Sequence, residues 1–397
     1  MSNPTHHQIL IIGGGTGGIT VAAQLTRSGR KLDVAILDAA EKHYYQPYWT
    51  LVGAGVAPKE VTERNEADLI PPGVTWHKVM VAEIHPDQNK VITGDKKHFT
   101  YDYLVVAPGI RVDLDGVEGL RQAIGKSGVC TNYLYEYVDS TWEAIQNTKD
   151  GNAIFTFPAT PIKCGGAPQK IMWLAEDYFR KQGRRNNINV MFTTAGERIF
   201  GVPKYRAALE KLVEARHIDT RWKHNLVAVR PKSKEAVFRI VGTDLEKVIP
   251  YSMLHVTPPM YAPDFVRNSP LADPAGYVDV DKGNLRHVRY PNVFSLGDAS
   301  SLPTAKTGAA VRKQAPVLVA SLFSTMDGKP LAGGYTGYTS CPLVTGYGRV
   351  ILAEFDYDSN PMESFPFDQG KERRSMWILK KSILPTLYWK GMLKGRA

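Results

Sequence analysis

Long apolar runs are missing from this chain. No stretch approaches the ~20 consecutive apolar residues of a membrane-spanning helix, so none is expected to cross a bilayer. Cysteine is scarce too: Cys130, Cys164 and Cys341 are the only three in 397 residues, 34 and 177 positions apart. That excludes a disulfide scaffold and matches no local zinc spacing, so no metal site is expected. The first eight residues are too short and polar for a secretory signal, and no Arg-rich presequence precedes the first apolar run. Net positive charge is thin outside the tail. Of a net +10, seven charges fall in residues 371–397, where eight Lys or Arg face Glu372 alone. Charge confined to a tail points to an acidic surface and not to nucleic acid.

What is present begins with a nucleotide fingerprint. Residues 8–37 read as strand, glycine turn, helix and strand, and Gly13, Gly15 and Gly18 satisfy G-x-G-x-x-G. The first glycine permits the tight turn, the second lets a pyrophosphate approach the backbone, and the third lets helix and strand pack closely. The phosphates would rest on amides at the helix N-terminus, beside Thr16 and Gly17. Asp38 follows Gly13 by 25 residues, where an acid can hold ribose hydroxyls. Two later stretches favour FAD over NAD. YDYLVVAPGI (101–110) resembles the exit from the first domain of two-dinucleotide-domain flavoproteins. YPNVFSLGDASSLP (290–303) resembles their final flavin motif, with Asp298 delivered to the ribityl chain. The helix that starts after LPTAKTGAAV (302–311) is expected to approach the flavin's pyrimidine edge. Lys306 and the amides of Gly308, Ala309, Ala310 and Val311 could then stabilise negative charge.

A second fingerprint is absent. Residues 151–286 read as another α/β unit, with a strand at 152–157, a helix at 169–183 and a strand at 187–194. Its turn is PATPIKCGGAP, which offers prolines and Cys164 in place of a phosphate cradle, so NADH binding is not expected there. Cys164 sits on a loop at a helix entrance, where a helix dipole lowers a thiol pKa. Cys341 stands on a loop-like segment ahead of a β-hairpin pattern. Cys130 is read as a buried thiol, and His255 as a loop histidine bonded to backbone. In the tail, Met376, Leu379, Lys380, Ile383, Leu384, Leu387 and Tyr388 recur at helical spacing, with a break expected at Pro385. Basic flanks and Trp377 and Trp389 suggest a helix pair lying among lipid headgroups.

The stretches YQPYWTLVGAG, NAIFTFPATPIKCGGAPQKIM, MLHVTPPM, LPTAKTGAAV and YTSCPLVTGYGRVILAEFDY, with FPFDQGKERRSM, resemble sulfide:quinone oxidoreductase over nearly the whole chain, in the branch that includes the mitochondrial enzyme. The resemblance implies an α/β fold of two Rossmann-like domains with a C-terminal amphipathic membrane-associating region. The expected division is 1–115 and 287–325 for the FAD domain, 116–286 for the second domain, and 326–397 for the quinone- and membrane-facing region. It implies one non-covalent FAD contacted by Thr16, Gly17, Asp38, Gln46, Val81, Asp298 and residues 308–311. It makes Cys164 and Cys341 the redox pair. Hydrosulfide would attack the sulfur bridge between them, Cys341 would keep a persulfide, and Cys164 would reach the flavin C4a. The sulfane sulfur would pass to sulfite, glutathione or another thiol, and the electrons to ubiquinone. The expected location is the surface of a bacterial inner membrane, or the mitochondrial one for a processed chain. The competing expectation is a type II NADH:quinone oxidoreductase, which would need a second glycine fingerprint and no cysteine pair.

Overall fold

Residues 8–37 become what their pattern dictates. In the computed structural model, which describes residues 4–331 and 333–397, strand Thr5–Ile12 runs through the glycine turn into helix Thr16–Arg27 and then strand Val34–Leu37. The two strands pair in parallel, Ile9 opposite Val34 through Ile12 opposite Leu37. Unbroken apolar runs suit parallel strands, which are covered on both faces. Ile9 to Ile12, Val34 to Leu37 and Leu104 to Val106 are accordingly no more than 2 % exposed. Each such side chain contributes about 1.5–3 kcal/mol when removed from water.

Strand His98–Val106 is the hinge of this first sheet. Its whole length pairs with the first strand; on its other side, its start pairs antiparallel with Lys90–Thr93 and its end pairs parallel with Val293–Ser295. The flavin motif read at 290–303 thus returns to the first sheet after nearly 190 residues. That return puts Asp298 beside the glycine turn.

The second unit carries a five-stranded parallel sheet. Its order is Val129–Cys130, Met253–His255, Gly151–Phe157, Ile188–Thr194 and Asp219–Arg221. Helix Ala167–Lys181 crosses between its two longest strands. The chain leaves and re-enters along a short ribbon in which Met260 and Tyr261 pair with Val112 and Arg111. Beyond it, bridges join Val278 to Ser300 and Arg286 to Phe294, so residues near 278–286 sit with the first unit. The return lies ahead of the 286/287 boundary read from sequence.

The hairpin forms as Thr339–Gly346 and Arg349–Phe355, packed on helix Ala167–Lys181; it includes Cys341, which pairs with Ala353 in its first strand and does not stand on a loop ahead of it. The tail differs from expectation at Pro385. No break forms there: the helical course is continuous from Arg374 to Lys394, with two wide i→i+5 turns at Leu379–Ile383 and Leu387–Gly391. Proline lacks a donor and crowds the carbonyl one turn back, and widening the turn accommodates both. The tail lies against the first unit, with Met376, Tyr388, Met392 and Leu393 buried. Among the described residues no helix is long and apolar enough to cross a membrane.

A sulfur pair beside a dinucleotide cavity

Two strand-to-helix turns and the C-terminal helix enclose one cavity of about 480 Å³. From the first unit, Gly15, Thr16, Gly17 and Gln46 line it; Leu296, Gly297 and Asp298 come from the returning strand. Lys306, Gly308, Ala309 and Val311 come from the start of helix Gly308–Met326, which Thr307 caps by accepting from the Ala310 amide at 3.0 Å. Cys164 and Lys170 come from the second unit, and Lys380, Leu384, Leu387 and Tyr388 from the tail.

The remaining residues singled out from sequence lie around this cavity. Gly18 is held by packing: a Cβ there would lie 1.8 Å from the Gly13 carbonyl oxygen. Gly13 itself sits against the Ala107 carbonyl. Asp38 accepts from the Gly14 amide at 2.5 Å and the Ala40 amide at 2.8 Å, which fixes its carboxylate beside the turn. Ala310 is buried one residue behind the lining. Val81 is buried in the edge strand Val81–His85 and does not line the cavity.

Cys164 occupies an uncommon backbone state, with φ +53°. Left-handed geometry costs a non-glycine residue roughly 1–2 kcal/mol, so the surroundings must hold it. They do so from both sides. The Cys164 amide donates to the Lys306 carbonyl at 2.8 Å, and its own carbonyl accepts from Ala167 at 2.7 Å, where the helix begins. Cys341 comes from the hairpin, and both thiols are free. Gly166 makes the approach possible: a Cβ there would lie 2.4 Å from Cys341 Sγ and 2.7 Å from Leu343 Cδ2.

Electrostatics divide the two sulfurs. A hydrogen bond from the Cys341 thiol holds the Cys164 pKa well below the usual thiol range; burial opposes this, while Lys170 and Lys380 add to it. The Lys170 ammonium donates to Cys164 Sγ at 3.1 Å. Cys341 moves the other way, raised because its proton is shared with Cys164 and because it is buried. Burial alone would lower Lys170, but the two sulfurs outweigh it and its pKa is raised. Lys380, 2 % exposed, is pushed down to about 7 by burial and by Lys170, and its Nζ donates to the Pro47 carbonyl at 2.6 Å. The helix position read from sequence is therefore supplemented by a thiol donor and two lysines.

Asp177 fastens this arrangement. It is fully buried on helix Ala167–Lys181 and accepts from the Tyr347 amide at 2.8 Å and from Arg349 at 3.1 Å. Both partners belong to the Cys341 hairpin. The helix that follows Cys164 and the hairpin carrying Cys341 are thus tied to each other.

This chain is 50% identical to the mitochondrial sulfide:quinone oxidoreductase of Mus musculus, over 98% of this chain and 87% of the mouse protein. It is also 50% identical to that of Dictyostelium discoideum, over 98% of this chain and 86% of the relative. The chain belongs to the sulfide:quinone oxidoreductase family. A pyridine nucleotide-disulphide oxidoreductase family model matches residues 7–145. Among solved structures, the sulfide:quinone oxidoreductase of Aquifex aeolicus shares the fold, with a TM-score of 0.83 at 19% identity over 99% of this chain and 92% of that one. Two relatives named as mitochondrial give no support to the bacterial membrane expected from sequence.

In this family member, several site residues escaped the sequence reading. Lys170 lies inside the very stretch that named Cys164, and a lysine in the first turn of an otherwise buried helix face was the available signal. Lys380 lay on the tail's apolar stripe, where a charged residue should have stood out. Lys163, half-buried beside Asp298, is lowered to about 8 by burial, with Asp298 opposing. Lys306 is lowered to about 8 in the same way. Its ammonium does not point outward: it donates to the Asp298 carbonyl at 2.6 Å and lies 4.1 Å above the Tyr277 ring. His255 lies on a strand, not a loop, and burial pushes it down to about 3. Cys130 is fully buried, bonds the Leu254 carbonyl at 3.7 Å, and is raised to about 12 by burial.

Proposed function

We propose that this chain oxidises hydrogen sulfide to sulfane sulfur and passes two electrons to ubiquinone, with Cys164 and Cys341 as the working sulfurs. The observation that carries this reading is the split pair itself: Cys164 lines a dinucleotide cavity and is held toward thiolate by its bonds with Cys341 and Lys170, while Cys341 is packed behind it against Gly166 and is held toward thiol. One non-covalent FAD per chain fits the residues present. A Cβ at Gly15 would meet nothing within 4 Å, so phosphates have open access to the turn, and Asp38, held by the Gly14 amide, stands beside it for ribose hydroxyls. The helix start at Gly308 presents amide donors to the same cavity. When bound, FAD supplies the two-electron relay between sulfur and quinone.

The residues have separable tasks. Lys170, whose ammonium the two sulfurs hold charged, makes the cavity floor positive, and Lys380 adds to it when protonated, which draws in hydrosulfide. Hydrosulfide attacks the oxidised pair at the Cys341 sulfur; the new bond leaves a persulfide on Cys341, and the broken one releases Cys164 as thiolate. The sulfur of lower pKa leaves more readily, which is why the roles fall this way round. Lys170, already bonded to Cys164 Sγ, holds the departing charge. The persulfide then passes to sulfite, glutathione or another thiol.

The quinone has its own side of the hairpin. Side chains alternate across a strand, and Ser340, Pro342, Leu352 and Glu354 line the cavity from the face opposite Cys341. Leu379, Leu384 and Leu387 of the tail form an apolar rim to it. On the outside of the same helix Ile378 and Ile383 are 50% and 53% exposed beside Lys381. This face would rest on a membrane surface, peripheral and not spanning, with basic residues toward anionic headgroups.

The test is anaerobic reduction of a ubiquinone analogue by sulfide, with and without sulfite. The expected result is sulfide-dependent turnover that sulfite accelerates. Flavin bleaching by NADH with none by sulfide would overturn it in favour of an NADH:quinone oxidoreductase.

A further inference from the structure

The C-terminal helix reaches the glycine turn through a polar chain that the sulfur chemistry does not use. Tyr388 is 3 % exposed, and its hydroxyl lies 2.7 Å from Thr16 Oγ1 and 2.5 Å from His43 Nε2. His43 Nδ1 lies 3.1 Å from Glu66 Oε2, and both residues are buried. The other Glu66 oxygen, Oε1, has no hydrogen-bond partner. It faces the glycine turn: a Cβ on Gly14 would lie 2.5 Å from it and 3.2 Å from Asp38 Oδ2. Two carboxyl groups crowd one corner, and a buried oxygen without a donor costs about 1–3 kcal/mol. Ribose hydroxyls are donors of the kind this corner lacks.

The chain thus runs from the nucleotide corner, through an imidazole, to the tail. Glu66, His43 and Tyr388 are buried, and half-buried Thr16 at the end of the chain lines the cavity together with Tyr388. Gly395 closes the far end against Ala23 and Arg27 of the first helix. A dinucleotide seated on Gly15 to Gly17 would lie beneath this lid.

We propose that the Glu66–His43–Tyr388 chain makes the C-terminal helix a wall of the FAD site, so that the cofactor is retained only while Tyr388 stays on Thr16. The inference rests on the FAD reading above. Linkage makes it reciprocal: if undocking the helix weakens FAD binding, FAD must tighten helix docking by the same factor.

The experiment uses the full-length holoprotein. FAD release after dilution is followed by free-flavin fluorescence, and tail docking by trypsin cleavage at the exposed Lys381. Tyr388→Phe removes one hydroxyl and is expected to release FAD roughly tenfold faster, the scale of one buried hydrogen bond. It should also expose the tail to trypsin, as should removal of FAD from the wild type. Tyr357→Phe, whose hydroxyl donates to the Lys282 carbonyl at 2.9 Å, is the control and should match wild type. Should Tyr388→Phe give no soluble protein, His43→Gln tests the same chain. FAD release at the wild-type rate would overturn the proposal while leaving the FAD site intact. Faster release with unchanged tail cleavage would also overturn it, because Tyr388 would then be a ligand and not a latch. Wild-type protein that takes up no FAD would overturn the reading beneath, and this one with it.

Discussion

Two turns occupy the same place in the two halves of this molecule, and they do opposite things. In the first unit the strand ends at Ile12 and the helix begins at Thr16, with only glycines between. In the second the strand ends at Phe157 and the helix begins at Ala167, and the nine residues between include Cys164 in left-handed geometry. The short turn brings backbone amides close enough to cradle a phosphate. The long one turns the Cys164 side chain into the cavity, and the Cys164 backbone amide fixes the loop by donating to the Lys306 carbonyl. The difference teaches that a Rossmann-like unit can keep its architecture while exchanging a nucleotide for a sulfur. The glycines show the same exchange. Gly18 is forced by its own turn's backbone, whereas Gly166 is forced by a sulfur that arrives from 175 residues away.

The sharpest way to break the comparison is to remove the sulfur. Cys164→Ser should lower sulfide-dependent quinone reduction by at least about a thousandfold, the scale of losing a catalytic nucleophile, while bound flavin, measured by absorbance, stays at the wild-type amount. A loss of flavin along with activity would mean that the second turn belongs to the nucleotide site. Next in size is Gly166→Ala. The added methyl meets Cys341 Sγ, and overpacking of this kind costs about 1–3 kcal/mol, readable as a lower midpoint in urea. Gly165→Ala, where the only neighbour of a new Cβ is the Phe157 ring at 4.0 Å, should leave stability nearly unchanged.

A third prediction concerns charge. Because the folded Cys164 pKa is depressed, its thiolate should persist, and alkylation by iodoacetamide should continue, well below the usual thiol range. The sign for stability follows: this group's contribution is present above the unfolded thiol pKa near 8.5 and is lost as pH falls through the folded value. Lys170→Met should shift the alkylation profile toward higher pH. An unshifted profile would remove Lys170 from the account. The smallest effect is expected at Cys130, which is fully buried and bonded to the Leu254 carbonyl, away from the other two sulfurs. Cys130→Ser should keep activity within about twofold and cost about 1 kcal/mol of stability or less.

Much of the fold was legible because its cues are local. Apolar runs, glycine spacing and an acid at the strand end all lie within residues 8–38, and each formed as read. The helix at Ala167–Lys181 and the hairpin at 339–355 were readable for the same reason. The tail was read less well. Proline is a strong local breaker, yet two wide turns carry the helix past Pro385, because packing against the first unit outweighs the local penalty. The site was half legible. Cys164 and Asp298 stood out because their neighbours are unusual. The roles of Lys380, His43 and Tyr388 come from contacts across 23 to 372 residues, which no spacing encodes, whereas Lys170 reaches Cys164 across only six. The split between the cysteines likewise arises from one shared proton and two lysines brought in by the fold.

On the proposed function, the second turn delivers electrons through sulfur in the place where a nucleotide turn would stand. The most direct test is anaerobic titration of the flavin-loaded wild-type protein and of Cys164→Ser with sulfide and with NADH, followed at the flavin absorbance band. The account predicts bleaching of the wild type by sulfide, none of Cys164→Ser, and none of either protein by NADH. Bleaching by NADH, or undiminished bleaching of Cys164→Ser by sulfide, would contradict it.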